Sequence, residues 1–292
     1  MKRKKSGFTM MEMLIVLGIL MLLVGLLIPA LTAVKNVAKE TKQKAQFATI
    51  ELSLAAFKND HGDYPPSSWA LPPSPDSTYC GAQKLAEALV GWDLLGFHPD
   101  SAWRADGLDA LAGPSTYDPL KSRDLNADGI PDTMNERKGP YLELATASVF
   151  KLRDLFWNNF TGQLAGPLAP DTYVLCDAFA SKKIRLPNGK VKKAGAPILY
   201  YRANTSQQLI RGRYNVQDNE ALIDMKWQAD ADGRLHPLND TTNNYQYFYE
   251  EYIRDPKIEA RVWPYRPDSY LLISAGADGL YGTPDDIRNF GN

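Results

Sequence analysis

The strongest constraint on this chain is a run of apolar residues from Gly7 to Leu31, GFTMMEMLIVLGILMLLVGLLIPAL, behind a short basic leader of Lys2, Arg3, Lys4 and Lys5. Phe8 to Leu31 is 24 residues. As a helix rising about 1.5 Å per residue it reaches roughly 36 Å, enough to cross a hydrocarbon core of about 30 Å. A single membrane span is therefore expected near the start of the chain. No basic residue balances the leader until Lys35, so the charge bias places the N-terminus in the cytoplasm and the rest of the chain on the far side.

Two residues set this run apart from a cleavable signal or a plain anchor. A secretory signal has a shorter apolar stretch, with small residues after it where it is cut. Here the small residue, Gly7, comes first, so a cut after it would remove the leader and keep the helix. Glu12 then puts a carboxylate inside the apolar run. That costs about 2.5–3.5 kcal/mol on insertion scales, and such groups have partners. The amine of Phe8 released by cleavage is one, and in a packed array the amine of one helix can meet Glu12 of the next.

The leader, Gly7, Phe8, Thr9 and Glu12, followed by a long apolar helix with Pro29 near its end, resemble the signature of the type IV prepilin superfamily. The resemblance implies cleavage after Gly7 and N-methylation of Phe8 by a prepilin peptidase, and filament assembly involving Glu12. The fold it implies is α+β: a long N-terminal helix packed on a small antiparallel sheet domain with long loop insertions.

Composition narrows the class further. Without the leader's four charges, 29 basic residues face 34 acidic ones, which argues against a nucleic-acid-binding surface. Three His and two Cys leave no His-rich or Cys-cluster metal site. Cys80 and Cys176 would face an oxidising compartment, where a disulfide between them and a pair of buried thiols are both open.

Beyond the membrane run the helical period continues. Val34, Val37, Thr41, Ala45, Ala48, Leu52 and Ala55 recur at three- and four-residue spacing, and a second row of Phe47, Ile50, Leu54 and Phe57 begins halfway along. The first row reads as a filament contact and the second as packing against a domain, with Gly62 as the stop. The organisation expected is a leader over 1–7, a span over 8–31, a helical continuation over 32–62 and a globular domain over 63–292. Asp60, Gly62, Tyr64 and Pro65, with Lys138, Gly139, Pro140 and Tyr141, resemble segments of the major pseudopilins of type II secretion.

Further helices are expected over 81–97 and 147–158. Strands are expected at 172–179, 198–203 and 269–274, in one antiparallel sheet. Asn188-Gly189 marks a hairpin between the first two. Residues 204–268 read as a surface elaboration, partly helical around 246–253, whose Tyr245, Tyr247, Phe248, Tyr249 and Tyr252 serve packing before contact.

Two stretches carry coordination chemistry. Asp124, Asn126, Asp128, the backbone carbonyl of Ile130, and Asp132 stand at alternate positions around Gly129, the pattern of hard oxygen donors that calcium takes, but Asn135 replaces the closing bidentate Glu. At the C-terminus Asp278, Asp285 and Asp286 crowd among glycines, where a cation would remove their repulsion. This stretch resembles the calcium loop of major pseudopilins, which implies Asp278, Asp286, Ser274 and the carbonyl of Leu272 as ligands.

Nothing pairs a nucleophile with a base, so an enzyme is not expected. The resemblance implies a structural subunit of a periplasmic filament that exports folded proteins. Its partners would be further copies of itself, the prepilin peptidase, minor pseudopilins, and an assembly platform in the inner membrane. A type IV pilin for adhesion, motility or DNA uptake, and a membrane-anchored periplasmic binding module, are the other readings.

Overall fold

The computed structural model describes residues 9–68, 78–108, 116–117, 136–144, 147–158, 163–164, 166–180, 182–185, 189–229 and 233–291. Helix α1 runs over Met10–His61 and ends at Gly62, whose left-handed φ of 83° lets its N–H close the last turn onto the Lys58 carbonyl. Its N-terminal stretch is long and apolar enough to cross a membrane, and none of it is buried by the other described residues. The C-terminal half behaves differently. Gln43, Phe47, Ile50, Leu54 and Phe57 are buried at alternating four- and three-residue steps, so one stripe of the helix faces the domain. Polar groups fix the helix there: Gln43 Oε1 accepts from the Ala178 N–H at 2.7 Å, and Ser53 Oγ donates to the Tyr141 carbonyl at 2.9 Å.

Helix α2, Gly81–Val90, is buried along its whole length. It lies between α1 and a three-stranded antiparallel sheet of β7 (Leu199–Arg202), β8 (Tyr270–Ser274) and β9 (Ile287–Arg288), in that spatial order. Both faces of this sheet are covered, and the alternation of side chains shows how. Tyr200, Tyr270 and Leu272 point with Phe47, Ile50 and Leu54 of α1 into one core. Leu199, Tyr201, Leu271 and Ile273 point into a second.

That second core corrects the reading of residues 204–268 as a surface elaboration. Ile210, Tyr214, Leu222, Ile223, Met225, Leu238, Phe248, Tyr249 and Tyr252 are buried in it. The segment is built from the single-turn helix α4 (Ile210–Arg213), helix α5 (Gln217–Ala229) and a π-helical turn over Phe248–Tyr252. It forms the layer that keeps water off the far side of the sheet. The Tyr-rich run packs as expected, with Tyr245 and Tyr247 at the margin of the core.

Two further expectations are corrected. Residues 147–158 do not form one helix: β1 (Val149–Lys151), the short α3 (Leu152–Phe156) and β2 (Trp157–Asn158) follow one another, and β1 pairs antiparallel with β4 (Tyr173–Leu175). Val149 and Phe150 suit a strand better than a helix, and a partner strand decides the matter. The 172–179 segment therefore pairs with β1 and meets the main sheet beside it, through the isolated bridge of Cys176 to Pro197, rather than as one of its strands. The main sheet takes β9 as its third strand instead. β2 pairs with β3 (Gln163–Leu164), and β5 (Lys182–Arg185) with β6 (Val191–Ala194) around the turn that contains Gly189.

Candidate functional site

The start of α1 brings Thr9 and Glu12 together. Glu12 Oε2 accepts from the Thr9 backbone N–H and from the Thr9 hydroxyl, each at 2.8 Å, while the Glu12 N–H donates to Thr9 Oγ1 at 3.3 Å. This is a capping box, in which two amides left over at a helix start are satisfied reciprocally. The carboxylate thus has a partner within its own chain. The signal, Thr-x-x-Glu directly before an apolar run, stood in the sequence beside the motif of which Glu12 is part. Gly7 and Phe8 lie outside the described residues.

At the other end of the chain, the loop over 275–286 leaves β8 and returns as β9, whose Ile287 faces Ser274 and whose Arg288 faces Ile273. That pairing pins the two ends of the loop side by side. Gly276 makes the exit turn with φ 63°. A Cβ there would come within 2.3 Å of the Asp285 carbonyl oxygen, so only glycine fits.

Asp285 organises the loop. Its Oδ2 accepts from the N–H groups of Ala277 and Asp278, at 2.7 and 2.9 Å, and its Oδ1 accepts from the Thr283 hydroxyl at 2.5 Å. Burial pushes its pKa up, but these donors outweigh burial and hold the carboxyl below its ordinary range. Asp286 is the opposite case. Burial pushes it up to about 7, with the charges of Asp285 and Asp278 adding to the rise, against hydrogen bonds from Tyr252 and Gly282 that lower it. Its Oδ2 takes both of those bonds, whereas Oδ1 is buried with no partner.

A buried carboxylate oxygen without a donor, next to two further carboxylates, suits a hard cation. The structure puts Asp278 and Asp285 within electrostatic reach of Asp286, but among the described residues it does not converge the three carboxylates to metal-ligand distance of one another. It engages Ser274 and Leu272 elsewhere. The Ser274 hydroxyl donates to Asp177 Oδ2 at 3.1 Å, and the Leu272 carbonyl accepts from the Asn289 N–H at 3.3 Å inside the sheet. Asp177, which the sequence did not single out, is pushed up to about 6 by burial, and Ser274 and Phe179 donate to its two oxygens.

Asp124, Asn126, Asp128, Ile130 and Asp132 lie outside the described residues. Cys80 and Cys176 are free, buried thiols of one core, and burial pushes the Cys80 thiol up to about 12. His98, Asp100 and Glu136 converge within metal-binding distance of one another. His98 Nδ1, however, accepts from the Asp100 N–H at 3.1 Å. That leaves the ring proton on Nε2, which is buried without a hydrogen bond and lies 3.2 Å from Glu136 Oε2.

Comparison with known proteins agrees with this architecture. The prokaryotic N-terminal methylation motif matches residues 2–28. The chain is 33% identical over 137 residues to the type II secretion system core protein G of Pseudomonas aeruginosa, a match covering 44% of this chain and 87% of that protein. It is 26% identical over 133 residues to the core protein G of Dickeya chrysanthemi, covering 46% and 84%. With that of Aeromonas hydrophila it shares 34% over 70 residues, covering 24% of this chain and 49% of the relative. No solved structure matches.

A methylation motif on a long apolar helix, set against small antiparallel sheets, defines a pilin-like subunit with a single N-terminal membrane anchor. With the similarity extending over most of the Pseudomonas protein, the chain belongs to the family of type II secretion system core protein G, the major pseudopilins. More than half of its own length lies outside that match.

Proposed function

We propose that this chain is a structural subunit, not an enzyme, of a periplasmic filament whose growth drives folded proteins out of the cell by type II secretion. The observation that carries this is the division of α1. Its second half is locked to the domain through Phe47, Ile50, Leu54 and Phe57, while its first half is apolar and exposed at its described residues, with Val34 and Val37 at 65% and 62% exposure beyond the membrane run. A helix of that composition is stable in lipid or against other copies of itself. Subunits would be cut after Gly7 by a prepilin peptidase and methylated at Phe8. They would then be drawn from the inner membrane, N-terminus cytoplasmic and domain periplasmic, into a helical array by an assembly platform and minor pseudopilins. In the array Glu12 would exchange its own Thr9 cap for the amine of a neighbouring helix.

Asp278, Asp285 and Asp286 would hold a calcium ion, whose charge would offset the repulsion among them. Asp285 fixes the loop through its backbone donors, and β9 holds the loop against β8, so a bound ion would stabilise the sheet edge. By donor chemistry alone, Asp124, Asn126, Asp128, Ile130 and Asp132 are proposed as a second, weaker site.

The test of assembly is photo-crosslinking in cells that express the whole machinery. A photoreactive side chain at Val37 should give multimers of this chain, and Glu12→Val in the same background should reduce them to monomer while leaving the chain in the membrane. Monomer alone from the Val37 probe would overturn the proposal.

A further inference from the structure

A groove of about 420 Å³ runs between α1 and the acidic loop, but it belongs to the site already described. A larger one, about 570 Å³, lies on the other side of the domain, where β7 leads into 204–218 and the chain after α1 passes beneath. That volume is in the range of small-molecule sites. Its lining is charged and hydroxylated: Arg202, Arg211 and Arg213 stand among Ser67, Ser68, Thr205 and Ser206, with Asp218 the single acid among the described residues.

Arg213 is the informative residue. It is only 6% exposed, and its guanidinium stacks over the Trp263 ring at 4.9 Å. Nη1 donates to the Asn204 carbonyl at 3.0 Å, whereas Nε is buried without a partner. No carboxylate among the described residues forms an ion pair with it. A buried cation normally has a counter-charge, because desolvation is otherwise uncompensated. The other two arginines are held at the rim by acids outside the groove, Arg202 by Asp63 and Arg211 by Glu250 at 4.0 Å. Asp218 is occupied too, since it accepts the hydroxyl of Ser67, whose oxygen in turn takes the Arg202 N–H at 2.9 Å. The walls are thus fixed in place, and among the described residues Arg213 is the lining guanidinium left without an ion pair.

We propose that this groove binds a small, hydroxyl-bearing molecule that carries an oxyanion, a carboxylate or a sulfate. The oxyanion would take the unpartnered N–H of Arg213 and the guanidinium of Arg211, the planar donor geometry that suits such groups. Ser68, Thr205 and Ser206 would meet the hydroxyls. An acidic sugar has this chemistry.

The test is calorimetric titration of the full chain in detergent with sodium glucuronate, sodium sulfate and neutral glucose at matched ionic strength. Saturable binding of glucuronate, tighter than that of sulfate, with none of glucose, is the expected result. Arg211→Gln, at an exposed position, and Arg213→Lys, which keeps the charge but loses the fork, should each weaken glucuronate about tenfold, the loss that one charge-assisted hydrogen bond carries. Sulfate binding as tightly as glucuronate would reduce the site to a bare anion hole and overturn the claim for a hydroxylated ligand. No saturable binding, or binding unchanged in Arg211→Gln, would overturn the site itself.

Discussion

Asp286 and Glu87 show what burial does to a carboxyl, and why only one of them points to a cation. Glu87, fully buried on α2, accepts hydroxyls from Tyr79 and Tyr117, each at 2.6 Å, and from Ser101. Burial pushes its carboxyl up, but each of its oxygens has a donor. Asp286 keeps one oxygen without any. Asp286→Asn should therefore melt at or above the parent when calcium is chelated, because it removes a buried charge from beside Asp285 and Asp278. In calcium the order should reverse. The parent should gain about 2.7 kcal/mol at roughly a hundredfold excess over the dissociation constant, and the variant little. An equal rise in melting temperature for both would refute a cation at this loop. The crowding of Asp278, Asp285 and Asp286 was legible in the sequence, since all three lie within one short segment. Asp177 and the Glu87 hub were not: Ser274 reaches Asp177, and Tyr117 reaches Glu87, from segments that local pattern does not connect. The helix expected over 81–97 ends at Val90, and only tertiary contacts bury its Glu87.

Helix α1 is the element whose sequence said most. Its two rows have different fates, and the difference can be measured within one turn. Leu54 is fully buried and Leu52 is 73% exposed. Leu54→Ala should cost about 2–5 kcal/mol of domain stability, and Leu52→Ala no more than about 0.5 kcal/mol, by urea unfolding in detergent. Similar losses at both positions would contradict the packing of this stripe. Short elements were harder to read. β9 has two residues and no period to recognise, and it is a strand because β8 offers an edge at Ile273 and Ser274. Over 147–158 the helical spacing of Val149, Leu152, Leu155 and Phe156 was real, but α3 realises it for a single turn before pairing with other strands takes over.

At the scale of the molecule, the sheet is a thin partition between two cores, one closed by α1 and α2 and the other by 204–268. The family resemblance could be read at both ends of the chain, where the motifs lie. The second core could not, because its residues are scattered through a polar segment and become apolar in aggregate only when Tyr201, Leu271 and Ile273 turn toward them. The chain is larger than its Pseudomonas relative, since the match covers 87% of that protein but 44% of this chain. The central claim is that such a subunit serves secretion. Its most direct test is the extracellular proteome of a clean deletion strain against its parent, with restoration by the intact gene. Several folded proteins should disappear from the medium and accumulate in the periplasm, and should return on complementation. An unchanged extracellular proteome would contradict the account.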